Sequence, residues 1–279
     1  MVMKNLLPAL LLFALSGCAY VEPLVQDFNI ISVPEERKIG VKIAEQISQE
    51  MRLVQDPSVN DHVRAIGQSL ARELPHQDFQ YQFFVVDDPT PNAFTIPGGF
   101  IYVHTGLLDF VSDDNELAGV LAHEIGHAFE RHPAKGLSRQ VGVEYLTSLL
   151  FKPSQSQGQF RTLALQIAKG GVLNRYSRED ELRADEMGYT TLRRSGMRTD
   201  GLLRFLRKLQ NLSQGRGASI PFLSTHPPTP ERIARLEALE KYGYVPEPAS
   251  YTASQTDQRY AAPRYSYGRT YSRSSYGRT

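Results

Sequence analysis

Residues 117–129 read Leu117-Ala118-Gly119-Val120-Leu121-Ala122-His123-Glu124-Ile125-Gly126-His127-Ala128-Phe129, and their only polar side chains are His123, Glu124 and His127. The run is apolar almost all the way round, as a buried central helix is and an amphipathic surface helix is not. Two imidazoles and a carboxylate buried without partners would cost on the order of several kcal/mol, so something must satisfy them. His123 and His127 are four residues apart, stacked one turn apart on one face, and Glu124 lies about 100° round the helix. In this HExxH spacing the two imidazoles bind zinc, and the carboxylate reaches the water that the metal activates. The stretch reads as the active-site helix of a zinc metallopeptidase.

HExxH alone is only moderately specific, and a third ligand must support it. The extended form HExxHxxGxxH fails, because Glu130 and Pro133 stand where its glycine and last histidine belong. A glutamate roughly twenty residues downstream would point near Glu144, which falls a few residues short. The better candidate is in Tyr176-Ser177-Arg178-Glu179-Asp180-Glu181-Leu182-Arg183-Ala184-Asp185, where Glu181 and Asp185 share a helix face. Glu181 would ligate the metal. Asp185 would accept a hydrogen bond from the other ring nitrogen of a ligating histidine and fix its tautomer. Taken alone, such a face is also what a solvated helix surface looks like.

Around this core the pattern is helix-rich. Apolar residues recur at helical intervals over 34–51 and 57–74. Residues 79–86 read as a strand, and 94–105 as a second strand region interrupted by Pro97-Gly98-Gly99. Asp113 with Glu116 approximates a capping box at the start of the central helix, and Pro133 is the expected stop. Further helices are expected near 138–150, 159–172, 176–195, 199–213 and 230–241. The expected fold is α+β: the HExxH helix packed between a small β-sheet and a helical part carrying Glu181. The apolar segments 143–151 and 163–173 serve the core or line a client groove.

The chain ends carry other information. Lys4 followed by an apolar stretch over 6–15 and by Leu15-Ser16-Gly17-Cys18 resembles a bacterial lipoprotein signal, with residues 1–17 removed and Cys18 lipid-modified. Cys18 is the chain's only cysteine, which excludes intrachain disulfides and cysteine zinc sites. By resemblance to the sorting pattern of Gram-negative lipoproteins, Ala19 rather than Asp favours the outer membrane. Residues 18–33 form the lipidated N-terminus and tether, 34–245 the catalytic domain, and 246–279 a Tyr/Ser/Arg-rich tail read as disordered. A formal net charge of +1 over 279 residues argues against an electrostatically driven nucleic-acid partner.

Four segments taken together carry a family resemblance: Asn92-Ala93-Phe94, Pro97-Gly98-Gly99, the 117–127 run, and Ser177-Arg178-x-x-Glu181-x-x-Ala184-Asp185. In this order they resemble the gluzincin metallopeptidases of the CAAX prenyl endopeptidase, HtpX, BepA and LoiP type, over roughly 35–241. With a lipobox and no transmembrane run, the layout is most similar to LoiP-like outer-membrane lipoprotein peptidases. The resemblance implies a zincin fold, one Zn2+ held by His123, His127 and Glu181, and Glu124 as catalytic acid/base. It implies a lipid-anchored peptidase facing the periplasm, acting on unfolded or misassembled envelope proteins, with β-barrel assembly components among its partners. It further suggests His226, in Ser-Thr-His-Pro-Pro-Thr-Pro, as a latency switch approaching the metal; a structural loop role is the alternative. Arg232 anchors that loop, borders the cleft or forms a surface ion pair, and Glu130 has a supporting or surface role. His132 falls off the ligand face of the central helix, and His62, His76 and His104 read as ordinary. An extended substrate is expected to pair with the strand near residues 100–103. The competing function is a chaperone-like or adaptor lipoprotein with a structural or latent zinc site. A small-peptide peptidase is a third reading, with no feature specifying a closed pocket.

Overall fold

The computed structural model describes residues 28–140, 157–168, 176–214 and 221–244. In chain order these form α1 (Val33–Glu50), α2 (Pro57–Ala71), β1 (Gln82–Val86), β2 (Ala93–Ile96), β3 (Phe100–His104), α3 (Thr105–Phe110), α4 (Asp114–Phe129), α5 (His132–Gln140), α6 (Gln157–Ala168), α7 (Arg178–Arg194), α8 (Gly201–Gln214), α9 (Pro221–Thr225) and α10 (Pro230–Tyr242). The expected helix-rich α+β architecture is present. The signal segment, Cys18, most of the tether, Glu144, the 143–151 run and the tail lie outside the described residues. Among those described, no helix is long and apolar enough to cross a membrane.

The sheet has the order β1-β3-β2, with β1 parallel and β2 antiparallel to β3. Every residue of β3 is buried, because both faces of the sheet are covered. One face carries Phe84, Tyr102 and Phe94, stacked with centroids 5.1 and 5.0 Å apart, and packs with Ile39, Ile43 and Ile47 of α1. The other carries Phe83, Val85, Ile101 and Val103 and packs with α2 and α4. This overturns the expected substrate pairing at residues 100–103: β3 is the central strand, and its backbone groups are already used on both sides. The outer edge of β2 has no partner strand among the described residues.

Helix α4 starts as its sequence suggests, with the Asp113 carboxylate accepting from Asn115 N and Glu116 N, both at 3.0 Å. The box is not reciprocal, since Glu116 instead accepts from Ser112 N and Lys208 Nζ, both at 2.8 Å. Nor does Pro133 end the helix. It ends at Phe129, the chain reverses through Arg131 at φ 58°, and Pro133 sits in the first turn of α5, where a missing N–H costs nothing. The short helices α3 and α9 carry too few residues to show a period, and β1 starts at Gln82, later than expected.

Candidate metal centre

Helices α4 and α7 lie in close contact because small residues face each other along the seam. A Cβ at Gly126 would come within 2.7 Å of the Ala184 carbonyl oxygen, and one at Gly188 within 3.1 Å of Ala122 C and His123 N. That approach brings Glu181 and Asp185 of α7 against His123 and His127 of α4. Ser177 caps α7, its Oγ accepting from Asp180 N at 3.1 Å. The loop after α9 adds His226. Ring and carboxylate atoms of His123, His127, Glu181 and His226 all lie within 4.8 Å of one another, and all four residues are buried.

The pair distances have the size of coordination-polyhedron edges. His123 Nε2 is 3.0 Å from His127 Nε2 and 3.2 Å from His226 Nδ1. Glu181 Oε1 is 3.2 Å from His127 Nε2 and 3.0 Å from His226 Nδ1. Four ligands at about 2.0–2.1 Å in a tetrahedron have edges of about 3.3 Å, so the donor set fits a small divalent cation. Charge points the same way. Glu124, Glu181 and Asp185 face only Arg232 among fully buried cations here, leaving two negative charges for a metal to offset.

Asp185 Oδ1 is 2.9 Å from His123 Nδ1. Arg232, one of the three alternatives left open, is not at the surface: it is fully buried. It binds both Asp185 oxygens at 2.7 Å, approaches Glu181 Oε2 at 2.6 Å, and donates to the Pro227 carbonyl at 3.1 Å, which anchors the His226 loop. These partners fix the protonation of the metal-free site. Burial disfavours a charged His123, but Asp185 and Glu181 outweigh it and hold its pKa at about 9. Burial and the His123 charge push His127 down to about 3. Burial would raise Glu181, yet Arg232 and the neighbouring histidines hold it well below the usual carboxylate range.

Glu124 is fully buried beside this group. Its Oε2 accepts from Thr95 Oγ1 at 2.8 Å, and its Oε1 is 3.4 Å from His226 Nε2. The imidazole of His226 therefore stands between Glu124 and the ligand atoms. Thr95 had no signal beyond its place in a strand. Tyr176, whose ring stacks on His127 at 3.8 Å, had none beyond its nearness to Ser177. His132 was set aside by a helical-wheel argument that holds only while the helix continues, and α4 stops at Phe129. It lies behind His127 with Nδ1 2.9 Å from His127 Nδ1. Glu130 follows the end of α4 and is absent from the ligand group; His62 pairs with Asp114 at the surface.

A model of Peptidase family M48 matches residues 57–240. The chain is 28% identical over 216 residues to the beta-barrel assembly-enhancing protease of Escherichia coli K12, covering 74% of this chain and 44% of that protein's length. It is 27% identical over 213 residues to a mitochondrial metalloendopeptidase of Schizosaccharomyces pombe, covering 75% and 62%. To the metalloprotease LoiP of E. coli K12 it is 28% identical over 204 residues, covering 70% and 77%. The chain thus spans less than half the length of the first of these relatives. The family match covers the sheet, the HExxH helix, the Glu181 helix and the His226 loop together, and the chain belongs to Peptidase family M48.

Proposed function

We propose that the chain is a zinc-dependent endopeptidase of misfolded or misassembled cell-envelope proteins. The observation that carries the reading is the buried group of His123, His127 and Glu181 with Glu124 at its side. When bound, zinc supplies Lewis acidity: it polarises the scissile carbonyl and lowers the pKa of water from 15.7 toward about 7. His123, His127 and Glu181 hold the ion, and Asp185 orients His123. Glu124 takes the proton of the attacking water and returns it to the leaving amine. The Thr95 hydroxyl fixes the Glu124 carboxylate at 2.8 Å while leaving one oxygen for that work. The outer edge of β2, which carries Thr95, receives the substrate backbone as an added strand.

Substrate class and place are supported by the name of the E. coli relative and by the Leu15-Ser16-Gly17-Cys18 sequence. The lipid on Cys18 would hold the catalytic domain at the outer membrane, facing the periplasm, near β-barrel assembly clients. The test is cleavage of casein by the full chain and by Glu124→Gln at equal zinc content. The variant is expected to be slower by about 10²–10⁴-fold, the range of general acid–base catalysis. Equal rates would remove Glu124 from the mechanism.

A second reading has its own support. His226 supplies a fourth donor, and four protein ligands are the pattern of a structural or latent zinc site. Latency fits better, because a structural site has no use for the buried Glu124 carboxylate against His226 Nε2. His226→Ala should then raise casein cleavage about tenfold, the factor that 1.4 kcal/mol of lost closed-state preference represents. Unchanged or lower cleavage would leave His226 a structural loop residue.

A further inference from the structure

We infer that His132 is a positioning residue that connects the ligating His127 to the carboxylate of Asp180. The inference rests on the proposed metal centre and asks what orients its second histidine. A neutral imidazole that gives its Nε2 lone pair to a metal carries its proton on Nδ1. His127 Nδ1 is 2.9 Å from His132 Nδ1, and two ring nitrogens at that distance need one proton between them. His127 supplies it, so His132 accepts at Nδ1 and carries its own proton on Nε2. His132 Nε2 in turn lies 3.3 Å from Asp180 Oδ1. Both buried atoms are without a hydrogen-bond partner among the described residues, and each is within reach of the other. The other Asp180 oxygen accepts from Ser177 N at 3.1 Å and Arg139 Nη2 at 3.2 Å. One tautomer assignment therefore sets a donor against an acceptor at every link from His127 to Arg139.

The arrangement parallels the one at the other histidine. His123 reaches Asp185 directly, and Asp185 is held by Arg232; His127 reaches Asp180 through His132, and Asp180 is held by Arg139. Both carboxylates belong to α7, flanking Glu181, so one helix delivers a ligand and the support of the other two. The turn that makes this possible is Arg131 in the left-handed region, held by Glu36 at 2.6 Å, which folds His132 back beneath His127.

The experiment measures zinc affinity of the full chain by chelator competition, with the 15N spectrum of the zinc-loaded protein reporting tautomers. His132→Leu should lose about 10–100-fold in affinity, the usual cost of removing such a partner, while His132→Gln, whose amide both accepts and donates, should recover most of it. Adding His132→Leu to Asp180→Asn should cost little more, because the two act through one chain. The His132 ring should be protonated at Nε2. An affinity of His132→Leu within about twofold of wild type, where partner loss costs tenfold or more, would overturn the role, as would an Nδ1-protonated ring. The wild-type ring tautomer keeps the test decisive if the leucine variant fails to fold. Wild type without zinc affinity, or a neutral His127→Ala, would instead overturn the metal centre itself.

Discussion

Arg232→Met is expected to cost about 3–5 kcal/mol of stability, the penalty for stranding buried charges whose partner is removed. The methionine keeps most of the volume, so the loss is electrostatic rather than a cavity. Arg232 is fully buried, makes a two-pronged pair with Asp185 at 2.7 Å and lies 2.6 Å from Glu181. Without it, two carboxylates face each other in the interior with only histidines to balance them. It also loses the bond to the Pro227 carbonyl, which sets the His226 loop. Arg232→Lys should recover only part, since a single ammonium cannot reproduce the fork on Asp185. Urea unfolding in the presence of chelator reads the effect without metal. A change below about 1 kcal/mol would mean that water or rearrangement relieves the carboxylates, and the interior is less dry than the burial implies.

This arginine also shows what the sequence could and could not convey. Covalent spacing makes His123, Glu124 and His127 legible, because four residues on a helix is a distance whatever the fold. Glu181 and Asp185 were legible as one face of another helix. Their meeting with α4 depends on Gly126, Ala184 and Gly188, small residues whose function is contact between helices and which carry no local signal. Arg232 lay 47 residues from Asp185, and three placements fitted it equally until the fold closed. His132 was missed because Pro133 was read as a stop. The same proline is a start signal when the preceding residue can turn left-handed, and nothing local announced that of Arg131. The expected substrate pairing failed for a related reason: residues 100–103 are a strand by pattern, but central or edge position is decided by pairing with β1 and β2. Chemistry held within one helix is legible, and chemistry assembled across α4, α7 and the 226–232 loop is legible only in pieces.

Stripping the metal should give the protein a dome of stability against pH that the loaded form lacks. The metal-free site has three buried carboxylates, Glu124, Glu181 and Asp185, against one buried arginine, and His123 makes up part of the deficit by taking a proton. Asp185 and Glu181 outweigh burial and raise its pKa to about 9, against an ordinary value of about 6.5 in the unfolded chain. A raised histidine pKa stabilises fully below pH 6.5, and the contribution is lost as pH climbs through 9, about 3 kcal/mol in all. His127 acts in the opposite sense. Burial and the His123 charge depress it to about 3, so below about pH 6.5 the unfolded chain binds a proton that the folded site refuses. Metal-free stability therefore peaks near pH 6.5 and falls on both sides. With zinc bound, the ligating nitrogens no longer exchange protons in this range, and saturating metal at a thousandfold over its Kd contributes about 4 kcal/mol. Urea midpoints with zinc and with chelator, measured from about pH 5.5 to 9, should diverge as pH rises above neutrality. A gap that stayed constant across that range would mean that His123 does not hold its proton when the metal is gone. Asp185 would then not be its charge partner, and Arg232 alone would have to balance the three carboxylates.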